Sequence, residues 1–155
     1  MTKRRRALLV AASALYAAAL WWMTLRPTIY DEHAAGLLRR ALTLLRSWPG
    51  TAWVTFDVVE FAANVAMFVP LGLLIIGWRG RWWHGILTGL VASTAIETAQ
   101  LLFLPTRVAD VRDVVANTLG AATGVVVASL ISRRISRSQE SHNRRHRKLI
   151  DTSAQ

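Results

Sequence analysis

The chain has 155 residues, enough for one domain, and carries 19 lysines and arginines against 9 aspartates and glutamates, a formal charge of +10. Yet 53% of its residues are apolar, more than a core of this size can hide from water. The combination excludes a disordered chain, argues against a soluble nucleic-acid binder, and points to apolar segments in lipid with the charge held outside them. The sequence has no cysteine, which removes disulfides, thiolate metal sites and cysteine nucleophiles.

Residues 1–6 contain Lys3-Arg4-Arg5-Arg6 and read as a cytoplasmic N-terminus. A bilayer takes about 20 apolar residues to cross, and four runs qualify, at about 7–25, 58–78, 82–104 and 113–131. The first is uncharged and ends in Trp21-Trp22-Met23 rather than in small residues, so it reads as an uncleaved helix with an interfacial tryptophan pair and not as a signal peptide. Residues 26–57 form a long outer loop. Within it Leu37, Leu38, Ala41, Leu42, Leu44, Leu45 and Trp48 fall on one helical arc, with Arg39, Arg40, Thr43, Arg46 and Ser47 opposite. This predicts an amphipathic helix in the outer interface, ended by Trp48-Pro49-Gly50. The second, third and fourth runs complete a transmembrane domain over 7–132, and 133–155 form a basic cytoplasmic tail. Its His142, Arg144, Arg145, His146, Arg147 and Lys148 suit anionic lipid head groups. No aromatic residue is present for base stacking and no nucleic-acid-binding motif accompanies the tail, so no nucleic-acid partner is expected. The expected fold class is therefore all-α: a polytopic membrane bundle of four transmembrane helices plus one amphipathic outer-interface helix.

Basic residues set the orientation. With both termini in the cytoplasm, 13 lysines and arginines fall inside and 6 outside, in keeping with the positive-inside rule. Seven of the nine acids then lie on the outer side or in the outer half of the membrane.

Ionisable groups at membrane depth cost a few kcal/mol or more and need a reason. Glu60 and Asn64 share a face of the second span, and Ser93, Thr94, Glu97 and Gln100 share a face of the third. Asp113, Asn117, Gly120 and Gly124 form one stripe of the fourth, with Arg107, Asp110 and Arg112 in the loop before it. All belong to the outer half of the bundle. Gly120 and Gly124 suit close helix approach, and Asn117 can then bond across that interface. Pro70 with Gly72 is expected to bend the second span and to leave a carbonyl near Ala66 in need of a partner. His33 and His84 fall on opposite sides of the membrane and cannot share a site. No known catalytic signature occurs: there is no HExxH metal helix, no GxSxG elbow and no Walker loop.

Three segments carry a resemblance. Asn64-Val65-Ala66-Met67-Phe68-Val69-Pro70-Leu71-Gly72, then Ile96-Glu97-Thr98-Ala99-Gln100, then Arg107-x-x-Asp110-x-x-Asp113-x-x-x-Asn117-Thr118-Leu119-Gly120 resemble, in order, three motifs of VanZ-like membrane proteins. The resemblance covers about Asp57 to Ser132 and leaves the outer loop and the tail aside. It implies a multi-pass protein of the bacterial cytoplasmic membrane, in a family whose name-giving member is associated with resistance to the glycopeptide teicoplanin. It also implies that Asn64, Glu97, Gln100, Arg107, Asp110, Asp113 and Asn117 form one site.

The primary expectation is a non-catalytic envelope protein that needs no cofactor. Besides membrane lipids, it would bind an envelope lipid, a lipid-linked wall precursor or an amphiphilic drug at the outer leaflet, alone or as an oligomer. Arg107 would meet an anionic group; Asn64, Gln100 and Asn117 would supply neutral hydrogen bonds. Asp110 and Asp113 would orient Arg107 or accept donors from the ligand. A structural reading of the same residues has them satisfy one another, with Arg107 or Arg112 paired to Asp110 or Asp113 and Glu97 bonded to Asn64 or Asn117. Two further alternatives are an envelope-lipid enzyme with Glu97 as acid or base, with or without a divalent ion on Asp110 and Asp113, and a small transporter.

Overall fold

In the computed structural model the described residues are 1–24, 32–104 and 110–153; at 32–35, 38, 136–137 and 139–153 the backbone alone is described. Arg107 and part of the outer loop lie outside them. The described residues form five helices and no strand: α1 (Lys3–Thr24), α2 (Glu32–Arg46), α3 (Phe56–Gly77), α4 (Trp82–Phe103) and α5 (Val111–Ser153). Four of these, α1, α3, α4 and the Val111–Ile135 part of α5, are long and apolar enough to cross a membrane. The all-helical, four-span architecture expected from the sequence is thus present, and α2 stands where the amphipathic helix is expected.

Local chemistry sets the helix ends. Thr55 caps α3, its hydroxyl accepting the Val58 N–H at 3.3 Å. Asp110 caps α5: its Oδ1 accepts the Arg112 N–H at 2.8 Å. At the start of α4, His84 Nδ1 accepts the backbone N–H of Arg81 at 3.0 Å, which gives that interfacial histidine a capping role. Helix α3 closes with Arg79 N–H on the Ile76 carbonyl (2.9 Å) and Gly80 N–H on the Ile75 carbonyl (2.8 Å). This is the paired bond of a Schellman turn. The left-handed residue in it is Arg79, at φ 63°, where glycine is the usual occupant.

The spans run antiparallel in chain order, with α5 packed extensively against both α3 and α4 and α1 lying more lightly on α3. Glycine makes the close crossings possible. A methyl on Gly120 or Gly124 would run into the Val65 or Val69 carbonyl of α3, and one on Gly72 would come within 2.6 Å of the Val125 nitrogen. Gly72, Gly120 and Gly124 are therefore packing residues, as their spacing predicts. A second seam joins α4 to α5: Gly85 meets Val125, and a methyl on Gly89 would lie 2.6 Å from the Ala121 Cβ. Gly85, Gly89 and Ser93 form the small-residue stripe, a signal the sequence contains but which Gly120 and Gly124 overshadow.

Helix α3 is continuous through Pro70. The Met67 carbonyl, one residue past the Ala66 carbonyl that Pro70 leaves without its helical donor, accepts the Tyr16 hydroxyl of α1 at 3.2 Å, and this bond docks α1 on α3. The less exposed face of α1 is Leu9, Ser13, Tyr16, Leu20 and Thr24, while Leu8 and Leu15 face outward. Such outward apolar surface on the spans is lipid-facing. The seven tryptophans sit at span ends or in connections: Trp21, Trp22, Trp48 and Trp53 toward one end, and Trp78, Trp82 and Trp83 toward the other. Two aromatic belts of this kind match the two membrane–water boundaries.

Helix α5 continues as helix to Ser153, through the basic stretch expected as a tail. No glycine or proline follows Gly124, so nothing in the sequence breaks it.

Candidate functional site

The end of the bundle where α3 and α5 begin and α4 finishes collects the polar side chains. Counted at about 1.5 Å per residue, Asn64 lies about 12 Å along α3, Glu97 about 9 Å before the end of α4, and Asn117 about 9 Å along α5. Three antiparallel helices thus bring these groups to similar depth. Asn64 Nδ2 donates to Asp113 Oδ1 at 2.7 Å. Asn117 Nδ2 donates to the Ser93 hydroxyl at 2.8 Å. Glu97 Oε2 accepts the backbone N–H of Asp110 at 2.9 Å. Gln100 Nε2 donates to the Thr24 carbonyl at 2.8 Å, tying the end of α1 to α4.

Ser93, Glu97, Gln100 and Asn117 are all buried, Ser93 completely. The side-chain amides of Gln100 and Asn117 meet acceptors, as buried polar groups must. One atom stands apart: Asn117 Oδ1 is buried and has no donor among the described residues.

Asn64 is bonded to Asp113, Glu97 and Asn117 each lie about 9 Å from a helix end, and Gln100, about one turn nearer the end of α4, bonds to α1 instead. Asp110 lies at the rim and commits one carboxylate oxygen to capping α5 and its backbone N–H to Glu97. Arg107 falls in 105–109, outside the described residues. The partners differ in detail from the sequence reading. The Arg112 guanidinium donates to the Asp57 carbonyl at 2.8 Å and lies 5.6 Å over the Phe61 ring, so it binds the start of α5 to the start of α3. Asn117 reaches across the α4 seam rather than the Gly120–Gly124 crossing. Thr94 turns outward and bonds the Leu90 carbonyl, apart from the buried Ser93–Glu97–Gln100 face.

Ser93 and Thr24 are the partners that the expected site did not include. Ser93 was visible on the Glu97 face of α4. For Thr24 the one signal is a hydroxyl at the end of an apolar helix, and it is the carbonyl, common to every residue, that makes the contact. Among the described residues, no group of three or more histidines and carboxylates is placed to hold a metal ion.

Antiparallel apolar helices, tryptophan belts at both ends and a buried polar cluster near one end define a small multi-pass helical membrane protein. The VanZ/LLP1 family model matches residues 13–132, from the third turn of α1 to near the end of the membrane-length part of α5, and the chain belongs to that family. No curated protein and no solved structure matches the chain.

Proposed function

We propose that the polar cluster is a non-catalytic recognition site for the head group of an envelope lipid or of a lipid-linked wall precursor. The supporting observation is Asn117 Oδ1. A buried acceptor without a donor costs about 1–3 kcal/mol, and a hydroxyl or amide N–H of a head group would offset that cost. Arg107, in the segment between Leu104 and Asp110, supplies the cation that a phosphate or carboxylate would meet. Apolar chains of the ligand would remain in the bilayer, where the outward faces of α1 and α4 are already lipid-facing. The positive-inside bias supports placing this end at the outer leaflet of a bacterial cytoplasmic membrane, with both termini inside. An amphiphilic drug such as teicoplanin would compete for the same site.

A second reading has support of its own. The direct Asn64–Asp113 and Asn117–Ser93 bonds lock three helices together, and a lock requires no ligand. Lipid retention separates the two. The wild type and the Arg107→Gln and Asn117→Leu variants are extracted in mild detergent, and their retained lipids are quantified. Recognition predicts one head-group class enriched on the wild type over the bulk membrane and lost from both variants. Equal retention by all three, with folding intact, contradicts it. A lipid product missing from cells that lack the protein would favour the enzyme reading instead.

A further inference from the structure

At the end of the bundle opposite the polar cluster, α4 and α5 leave a groove of about 400 Å³. It is lined by Trp82 and Ile86 of α4 and by Ala122, Val125, Ser129 and Arg133 of α5, among others. Its walls are apolar over most of their length and become polar at the mouth, where Ser129 and Arg133 lie one turn apart. From Ala122 to Arg133 the α5 wall rises about 16 Å, half the thickness of a bilayer core of about 30 Å. The α5 wall is thus about one leaflet long, and Trp82 and Ile86 of α4 face part of it.

Charge at the mouth is one-sided. No aspartate or glutamate occurs between Glu60 and Glu97 or between Asp113 and Glu140. Those stretches contain Arg79, Arg81, Arg133, Arg134 and Arg137. Arg5, which also comes to this end, donates to the Gly77 carbonyl at 3.0 Å. Arg81 lies 5.8 Å from the Trp83 ring. The exposed Arg133 is the guanidinium on the groove itself, and the nearest carboxylate in sequence, Glu140, is seven residues further along α5.

A mostly apolar groove whose α5 wall is about one leaflet long, with an arginine and a hydroxyl at its lip and tryptophan at its side, is complementary to one acyl chain joined to one phosphate. We infer that this groove is a binding site for an anionic phospholipid: a chain lies between α4 and α5 and its phosphate meets Arg133 and Ser129. The site is separate from the polar cluster and stands whatever that cluster binds.

The test is a titration of the delipidated full-length protein with phosphatidylglycerol or phosphatidylcholine of matched chains, read by native mass spectrometry. The wild type is expected to bind at least one phosphatidylglycerol about fivefold more tightly than phosphatidylcholine. Arg133→Gln removes that preference, and Arg133→Lys keeps most of it. Ala122→Phe, which fills the slot and leaves the charge, weakens both lipids. Arg79→Gln, outside the groove, changes neither, and soluble glycerol phosphate fails to displace the lipid. Equal affinity of the wild type for the two lipids, or an undiminished phosphatidylglycerol preference in Arg133→Gln, overturns the assignment. So does displacement by glycerol phosphate, which would make the site one for free phosphate. Arg133 is exposed, so its variants fold irrespective of the outcome; helicity measured alongside confirms this for Ala122→Phe.

Discussion

Gly120 meets the Val65 carbonyl so closely that any side chain forces α3 and α5 apart. Gly120→Leu is expected to cost about 3 kcal/mol or more, seen as a large fall in the thermal midpoint in detergent. Ser93→Ala removes the acceptor of the Asn117 amide and adds no bulk. Interhelical hydrogen bonds in membranes average about 0.6 kcal/mol, so this variant should lose only a small part of its stability. A drop as large as that of Gly120→Leu would show that the polar contacts, and not the glycine crossings, hold the bundle. The positions of these residues were legible because a carboxylate, an amide or a glycine in an apolar run is conspicuous. Their pairings were not. Helical spacing says which residues share a face, but not which neighbouring helix that face meets. Asn117 therefore went to Ser93 on α4 while Gly120, less than one turn on, went to Val65 on α3.

The bounds of the first three spans followed from the sequence to within a few residues because the apolar runs end near tryptophan, arginine, proline or glycine, whereas α5 runs on as helix to Ser153, well past the fourth apolar run. Two end details were hidden, since both depend on backbone geometry. Arg79 occupies the left-handed position of the turn after α3. Arg79→Gly relieves that strain and should stabilise the protein by about 1 kcal/mol, measured as a rise in the thermal midpoint; a fall would mean that the arginine side chain contributes more than its backbone costs. The docking of α1 was also hidden. Its face is mostly small and apolar, and Tyr16 makes its polar bond to a backbone carbonyl, which leaves no mark in a sequence. Tyr16→Phe should cost about 1 kcal/mol and leave α3, α4 and α5 packed. The amphipathic α2 shows the opposite case, in which pattern alone found the helix. Its Leu37, Leu44 and Leu45, with Trp48 just beyond its end, remain exposed, as an interfacial helix requires of its apolar face.

For the whole molecule, composition averaged over two unlike ends. One end carries arginines over stretches that contain no acid; the other gathers Asn64, Glu97, Asp113 and Asn117. Because the chain has no cysteine, single cysteines report the proposed orientation without background. In intact cells a membrane-impermeant maleimide should label Ala52→Cys, and it should label Thr2→Cys after permeabilisation alone. The reverse pattern would put the polar cluster at the inner leaflet and remove outer-leaflet recognition. The recognition site itself is tested most directly by a photo-reactive residue placed at Leu104, at the rim of the cluster, and irradiated in native membranes. A lipid adduct of one head-group class, lost when Asn117→Leu is added and absent from the same probe at Leu87 on the lipid-facing side of α4, is the result expected. Adducts of the same composition at both positions, unchanged by Asn117→Leu, would contradict it.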